Sequence, residues 1–88
     1  MAHSLFLYNR MAIALRKQGK HQDAINIYVK ALGVAPKDEG LYYNLARALF
    51  ESGQKDKAIK SLARALSLDP DFAEAKELRE EYRNAAGQ

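Results

Sequence analysis

The chain has no cysteine and no tryptophan among its 88 residues, and only two prolines. Without cysteine there is no disulfide, no thiolate metal site and no cysteine nucleophile, and a cytoplasmic, reducing setting is the expectation. No apolar run approaches the ~18 residues of a membrane-spanning helix, so no membrane partner is expected. The opening MAHSLFLYNR has no basic segment followed by a long apolar one and does not read as a secretory signal. Strong charge of either sign is also missing. The formal net charge is +3, spread as +4 over residues 1–38, zero over 39–72 and −1 over 73–88. A nucleic-acid footprint would need basic residues gathered with stacking aromatics on one face. No such cluster is present, and no nucleic-acid partner is expected.

Residues that carry chemistry are equally sparse. The two histidines, His3 and His21, form no His-x3-His or Glu-x2-His pair, so no helical metal site is expected. His21 reads as a half-buried ring beside a turn. Gly19 and Gly53 stand alone, and there is no glycine-rich phosphate loop. Ser4, Ser52, Ser61 and Ser67 have no base beside them in the sequence. Glu77, Glu80 and Glu81 read as a solvated helix face. We assign no catalytic residue, no cofactor and no metal, and the expectation is a protein that is not an enzyme.

What the sequence does contain is one phrase written twice. KALGVAP begins at Lys30, and RALSLDP begins 34 residues later at Arg64. Laying residues 5–38 over 39–72 matches eleven of 34 positions, among them Leu7/Leu41, Tyr8/Tyr42, Ala12/Ala46, Ala14/Ala48, Gly19/Gly53, Ala24/Ala58 and Pro36/Pro70. These are residue types that packing and chain reversal constrain. A repeat of this period marks one supersecondary unit made twice.

Each unit reads as helix, glycine turn, helix, proline stop. Tyr8, Met11, Ala12 and Leu15 fall at i, i+3, i+4 and i+7, one stripe of a helix facing the core. Gly19 accepts positive φ at a helix end without a Cβ clash. Ala24, Ile25, Tyr28, Ala31 and Leu32 make a second stripe. Pro36 ends it, because proline disfavours helical geometry at the residue before it. The second unit repeats this with Tyr42, Leu45, Ala46 and Leu49, then Gly53, then Ala58, Ile59, Leu62, Ala65 and Leu66, then Pro70. Ala12 facing Ala24, and Ala46 facing Ala58, would let antiparallel helices approach closely. Helices are expected near 4–18, 21–34, 38–52, 55–68 and 71–84. The last would open on a capping box of Asp71 and Glu74 and bury Ala75, Leu78 and Tyr82.

The pattern resembles the tetratricopeptide repeat: Tyr8-x2-Met11-Ala12-x2-Leu15, Ala24-x3-Tyr28 and Pro36, then Tyr42-x2-Leu45-Ala46-x2-Leu49, Ala58-x3-Leu62 and Pro70. The departures are Tyr for the usual Trp, Ala for the small Gly, and Leu62 for an aromatic. The resemblance implies an all-α, right-handed α-α superhelix of five helices in one domain. Repeat 1 would cover 5–38, repeat 2 would cover 39–72, and 73–86 would be a capping helix.

The resemblance also implies a function: a non-catalytic protein–protein interaction module or scaffold, part of a larger protein or assembly, with a partner peptide or amphipathic helix held in a concave groove. On that reading the groove residues lie on the first helices, off the core stripe. They are Phe6, Asn9, Arg10, Ile13 and Arg16, then Tyr43, Asn44, Arg47 and Phe50, with Glu77 and Glu81 on the capping helix. One subtype of the family clamps a C-terminal carboxylate. Asn44 matches that subtype, whereas Ile13 stands for an asparagine and Glu74 and Leu78 for cations. Leu5, Phe6 and Leu7 cannot all face one side of a helix. They leave an uncovered edge and raise an alternative, a self-assembly unit that dimerises through its N-terminal helix.

Overall fold

The computed structural model describes residues 2–87, all in helices and short connections. Five α-helices follow one another: α1 (Ala2–Lys17), α2 (His21–Val34), α3 (Glu39–Glu51), α4 (Lys55–Leu68) and α5 (Ala73–Ala86). Each packs mainly against its neighbours in sequence, giving a layered stack 38 × 29 × 16 Å in extent. Among the described residues there is no strand. This is the all-α superhelix that the repeat implied.

The two tight reversals are twins. Gly19 has φ +80° and Gly53 has φ +90°. Lys20 N–H donates to Leu15 C=O and Gly19 N–H to Arg16 C=O, at 2.9 and 3.0 Å. Gln54 donates to Leu49 and Gly53 to Phe50 at the same two distances. Both are Schellman ends, in which a left-handed glycine turns the last carbonyls back into use. A Cβ at either glycine would meet nothing within 4 Å, so backbone conformation and not space selects glycine.

The core is a column of small residues with two large fillers. Ala12, Ala24, Ala31, Ala46, Ala58, Ala65 and Ala75 expose no surface, and Tyr28 and Leu62 are the largest fully buried side chains. Burying a side chain of Leu62's size stabilises by about 1.5–3 kcal/mol. The alanines let the helices close in, and the residues at Tyr28 and Leu62 fill the space between successive layers. Ser61 is buried beside them and satisfies its hydroxyl by donating to the Tyr42 carbonyl at 2.7 Å.

Two expectations need correction. Met11 is not in the core: it is 50% exposed, because among the described residues no helix lies on the outer side of α1. The capping box at Asp71 and Glu74 is also absent. α5 begins at Ala73 with Phe72 as its N-cap residue and no side-chain cap, while Asp71 N–H donates to the Asp69 carboxylate at 3.1 Å. At the matching place ahead of α3, Asp38 does cap, accepting from Leu41 N–H at 3.2 Å. Phe72 takes that place 34 residues later, and an aromatic ring cannot accept the bond.

Candidate binding groove

α1 and α3 run side by side and present their off-core residues to one face. Two cross-links tie them. Asn44 Nδ2 donates to Asn9 Oδ1 at 3.2 Å. Arg16 pairs with Glu51 through a charge-assisted hydrogen bond of 2.7 Å, with His21 Nδ1 3.7 Å from the other carboxylate oxygen. Both bonds span 35 residues, one more than the repeat. Sequence reasoning missed Glu51, although that offset was visible: polar pairs 35 apart join successive first helices.

At the N-terminal end of this face lies a cavity of about 270 Å³, lined by Leu5, Phe6, Asn9, Asp38, Gly40, Leu41 and Asn44. It combines apolar walls with amide groups. Phe6 is 59% exposed, and the Arg10 guanidinium carbon lies 5.6 Å from its ring centroid. Ile13, further along α1, is half-buried.

The aromatic residues further along have partners within the chain. The Phe50 ring stacks on Tyr82 with centroids 3.8 Å apart and 5° between planes. The Tyr43 ring lies 5.2 Å from Phe72. Phe50 and Tyr43 therefore fasten α3 to α5, and the apolar strip they offer a partner is narrower than the sequence suggested. Tyr82 and Phe72 belong to this wall, and neither was expected there. Their positions depend on how α5 approaches α3, which spacing along the chain does not encode.

Arg47 is half-buried at the centre of the face and, among the described residues, has no salt bridge. Its charge reaches the tyrosines around it. Burial pushes the Tyr82 hydroxyl up to about 12, with Arg47 pulling against it and Glu51 and Glu81 adding to it. Burial also raises Tyr28, opposed by Arg16 and Arg47. Glu77 and Glu81 are exposed on α5. The face thus runs from basic at α1 through Arg47 to acidic at α5. Among the described residues no group of acidic or histidine side chains is arranged to hold a metal ion.

A stack of helices, each packed on its neighbours in sequence, is the architecture of an α-solenoid domain. Residues 15–82 match the family model described as tetratricopeptide repeat, and the chain belongs to that family of protein-interaction domains. The chain is 35% identical over 68 residues to human protein arginine N-methyltransferase 9, which is 77% of this chain and 8% of the relative. It is 36% identical over 75 residues to the Xenopus laevis protein of the same name, 85% of this chain and 9% of the relative. It is 30% identical over 59 residues to TPR repeat-containing thioredoxin TTL4 of Arabidopsis thaliana, 67% of this chain and 9% of the relative. The chain therefore spans less than a tenth of the length of these curated relatives.

Among solved structures, the Sgt2 TPR domain from Aspergillus fumigatus superposes with a TM-score of 0.90 at 25% identity, over 94% of this chain and 55% of that one. The first TPR of Spaghetti (RPAP3), bound to the HSP90 peptide SRMEEVD, superposes at 0.90 with 24% identity, over 98% and 68%. The Yersinia enterocolitica translocator chaperone SycD superposes at 0.89 with 20% identity, over 99% and 60%. The last two, at this identity, speak for the fold alone.

Proposed function

We propose that the chain is a non-catalytic interaction module that holds a partner's extended peptide or amphipathic helix against the concave face of α1 and α3, as one part of a larger protein or assembly. Phe6, Asn9, Arg10, Ile13 and Arg16 form one wall, and Tyr43, Asn44, Arg47 and Phe50 the other. The observation that carries this reading is the cavity of about 270 Å³ in which Phe6, Asn9 and Asn44 meet. An apolar recess with a few convergent polar groups is what a bound side chain and its backbone need. Ile13, Glu74 and Leu78 stand where a carboxylate clamp would place an asparagine and two cations, so a different peptide chemistry is favoured here. The match to methyltransferases lies within so small a part of their length that no catalytic role is proposed. The absence of cysteine fits a reducing cytoplasm.

The test is a quantitative pull-down with the chain as bait, comparing wild type, Asn44→Ala with Arg47→Ala, and Val29→Ser on the opposite face. The account expects the groove double variant to lose its partner at unchanged circular dichroism while Val29→Ser keeps it. Loss with Val29→Ser alone would move the site to the convex face.

A second reading, a self-assembly unit joined through α1, rests on one observation. Phe6, Leu7 and Met11 are all at least half exposed on that helix. Sedimentation of the wild type across a concentration series checks it, with a dimer expected on that reading and a monomer throughout contradicting it.

A further inference from the structure

The outer side of α1 has a counterpart inside the molecule. Leu7, Met11 and Ala14 lie 34 residues before Leu41, Leu45 and Ala48. On α3 that stripe is covered by α2: Leu41 is 3% exposed and Ala48 has no exposed surface. On α1 the same stripe is bare, with Leu7 55% exposed. The covered copy shows what fits the bare one, namely a helix packed on α1 as α2 packs on α3.

The flanking charges narrow the choice. On α3 the stripe is bordered by Asn44 and Glu51, which bond to Asn9 and Arg16 of the preceding first helix. On α1 the corresponding border residues are Arg10 and Lys17. A helix lying beside α1 as α1 lies beside α3 would need acidic residues seven apart, where α1 has Asn9 and Arg16. α1 itself carries no acidic residue, so a symmetric pairing of two α1 helices would bring like charges together. The other end of the stack offers no substitute: the side of α5 facing away from α4 carries the exposed Lys76, Glu80 and Arg83 and closes that end with charge.

We infer that the outer face of α1 is a docking site for a partner's antiparallel helix pair, one helix covering Leu7, Met11 and Ala14 and the other presenting acidic residues to Arg10 and Lys17. This site adjoins the groove, with Arg10 at the border of both, and its apolar stripe of Leu7, Met11 and Ala14 lies outside the groove residues. The surface is a repeat of an interface already formed within the chain, with its polar border changed from neutral and acidic to basic. That change sets the charge of the partner.

The probe is a synthetic helical hairpin of residues 5–38 carrying Asn9→Glu and Arg16→Glu, titrated into the full chain and followed by NMR. The expected result is shifted methyl signals at Leu7, Met11 and Ala14. Met11→Glu in the full chain should weaken binding about tenfold or more. A hairpin with Lys in place of both Glu should bind about tenfold more weakly, and that gap should shrink as salt is added. A second measurement covers a hairpin that does not fold when free: the same segment is joined ahead of the chain. The Glu version should melt higher than the Lys version and protect Met11 from oxidation. Shifts confined to Tyr43 and Arg47, no preference for Glu over Lys in either format, or a dimer of the unmodified chain that Met11→Glu dissociates would each overturn the inference.

Discussion

Ala14 and Ala48 occupy the same place in two copies of one sequence, yet Ala48 has no exposed surface and Ala14 faces solvent. Leu7 and Leu41 differ in the same sense. The local sequence decides that both are helical and that both lie on one stripe. Burial is decided by the neighbouring helix, which α2 supplies to α3 and nothing among the described residues supplies to α1. In a stacked fold, a residue's energetic weight therefore belongs to the interface and not to the residue type.

Breaking the comparison at its strongest point means deleting the paired leucines. Leu41→Ala should cost about 2–5 kcal/mol, as a cavity in a filled layer does. Leu7→Ala should cost about 0.5 kcal/mol or less, because its side chain already meets water. Urea unfolding of the two variants checks this, and equal losses would show that α1 is covered.

Enlarging the paired alanines sharpens the same contrast. Ala48→Leu should overpack the layer between α2 and α3 and cost about 1–3 kcal/mol. Ala14→Leu should stay within about 0.5 kcal/mol of wild type. Thermal melts of both variants decide it.

The closed end of the stack should also respond to alkaline pH. Tyr82, stacked on Phe50, ionises near 10 when unfolded and at about 12 in the fold. Below that window the neutral ring is present in both states and the shift has no effect. Within it the unfolded chain has lost a proton that the native chain keeps, so stability falls as pH rises, by at most about 1.4 kcal/mol per pH unit. Urea midpoints on either side of the window should show Tyr82→Phe losing less than wild type.

The smallest effect concerns the link between the two first helices. Glu51→Gln removes the charge facing Arg16 at a partly exposed site, and should cost only a few tenths of a kcal/mol up to about 1. High salt should erase most of the difference between variant and wild type.

Much of the fold was legible because the residues that shape it have few substitutes. Gly19 and Gly53 mark reversals that need positive φ, and the alanine column marks close helix approach. Tyr28 and Leu62, both fillers of successive layers, were readable from spacing alone. Met11 was misread because periodicity identifies an apolar stripe without saying whether anything covers it. The N-cap of α5 was misread because Asp71 and Glu74 have capping-box spacing, while the N-cap in fact falls one residue later, at Phe72, and the helix begins at Ala73. For the candidate groove, the residues of α1 and α3 come from what the family resemblance implies, and their role there is a proposal. The Phe50–Tyr82 stack and the Arg16–Glu51 bond did not, since each depends on the register between helices far apart in sequence.

Native-state hydrogen exchange tests the central claim most directly, because it reads the stability of α1 and α3 within one molecule. The account predicts that amides of α3 exchange only with global unfolding, while those of α1, packed on one side only, exchange through a lower-energy opening. Equal protection of residues 34 apart in the two helices would contradict it.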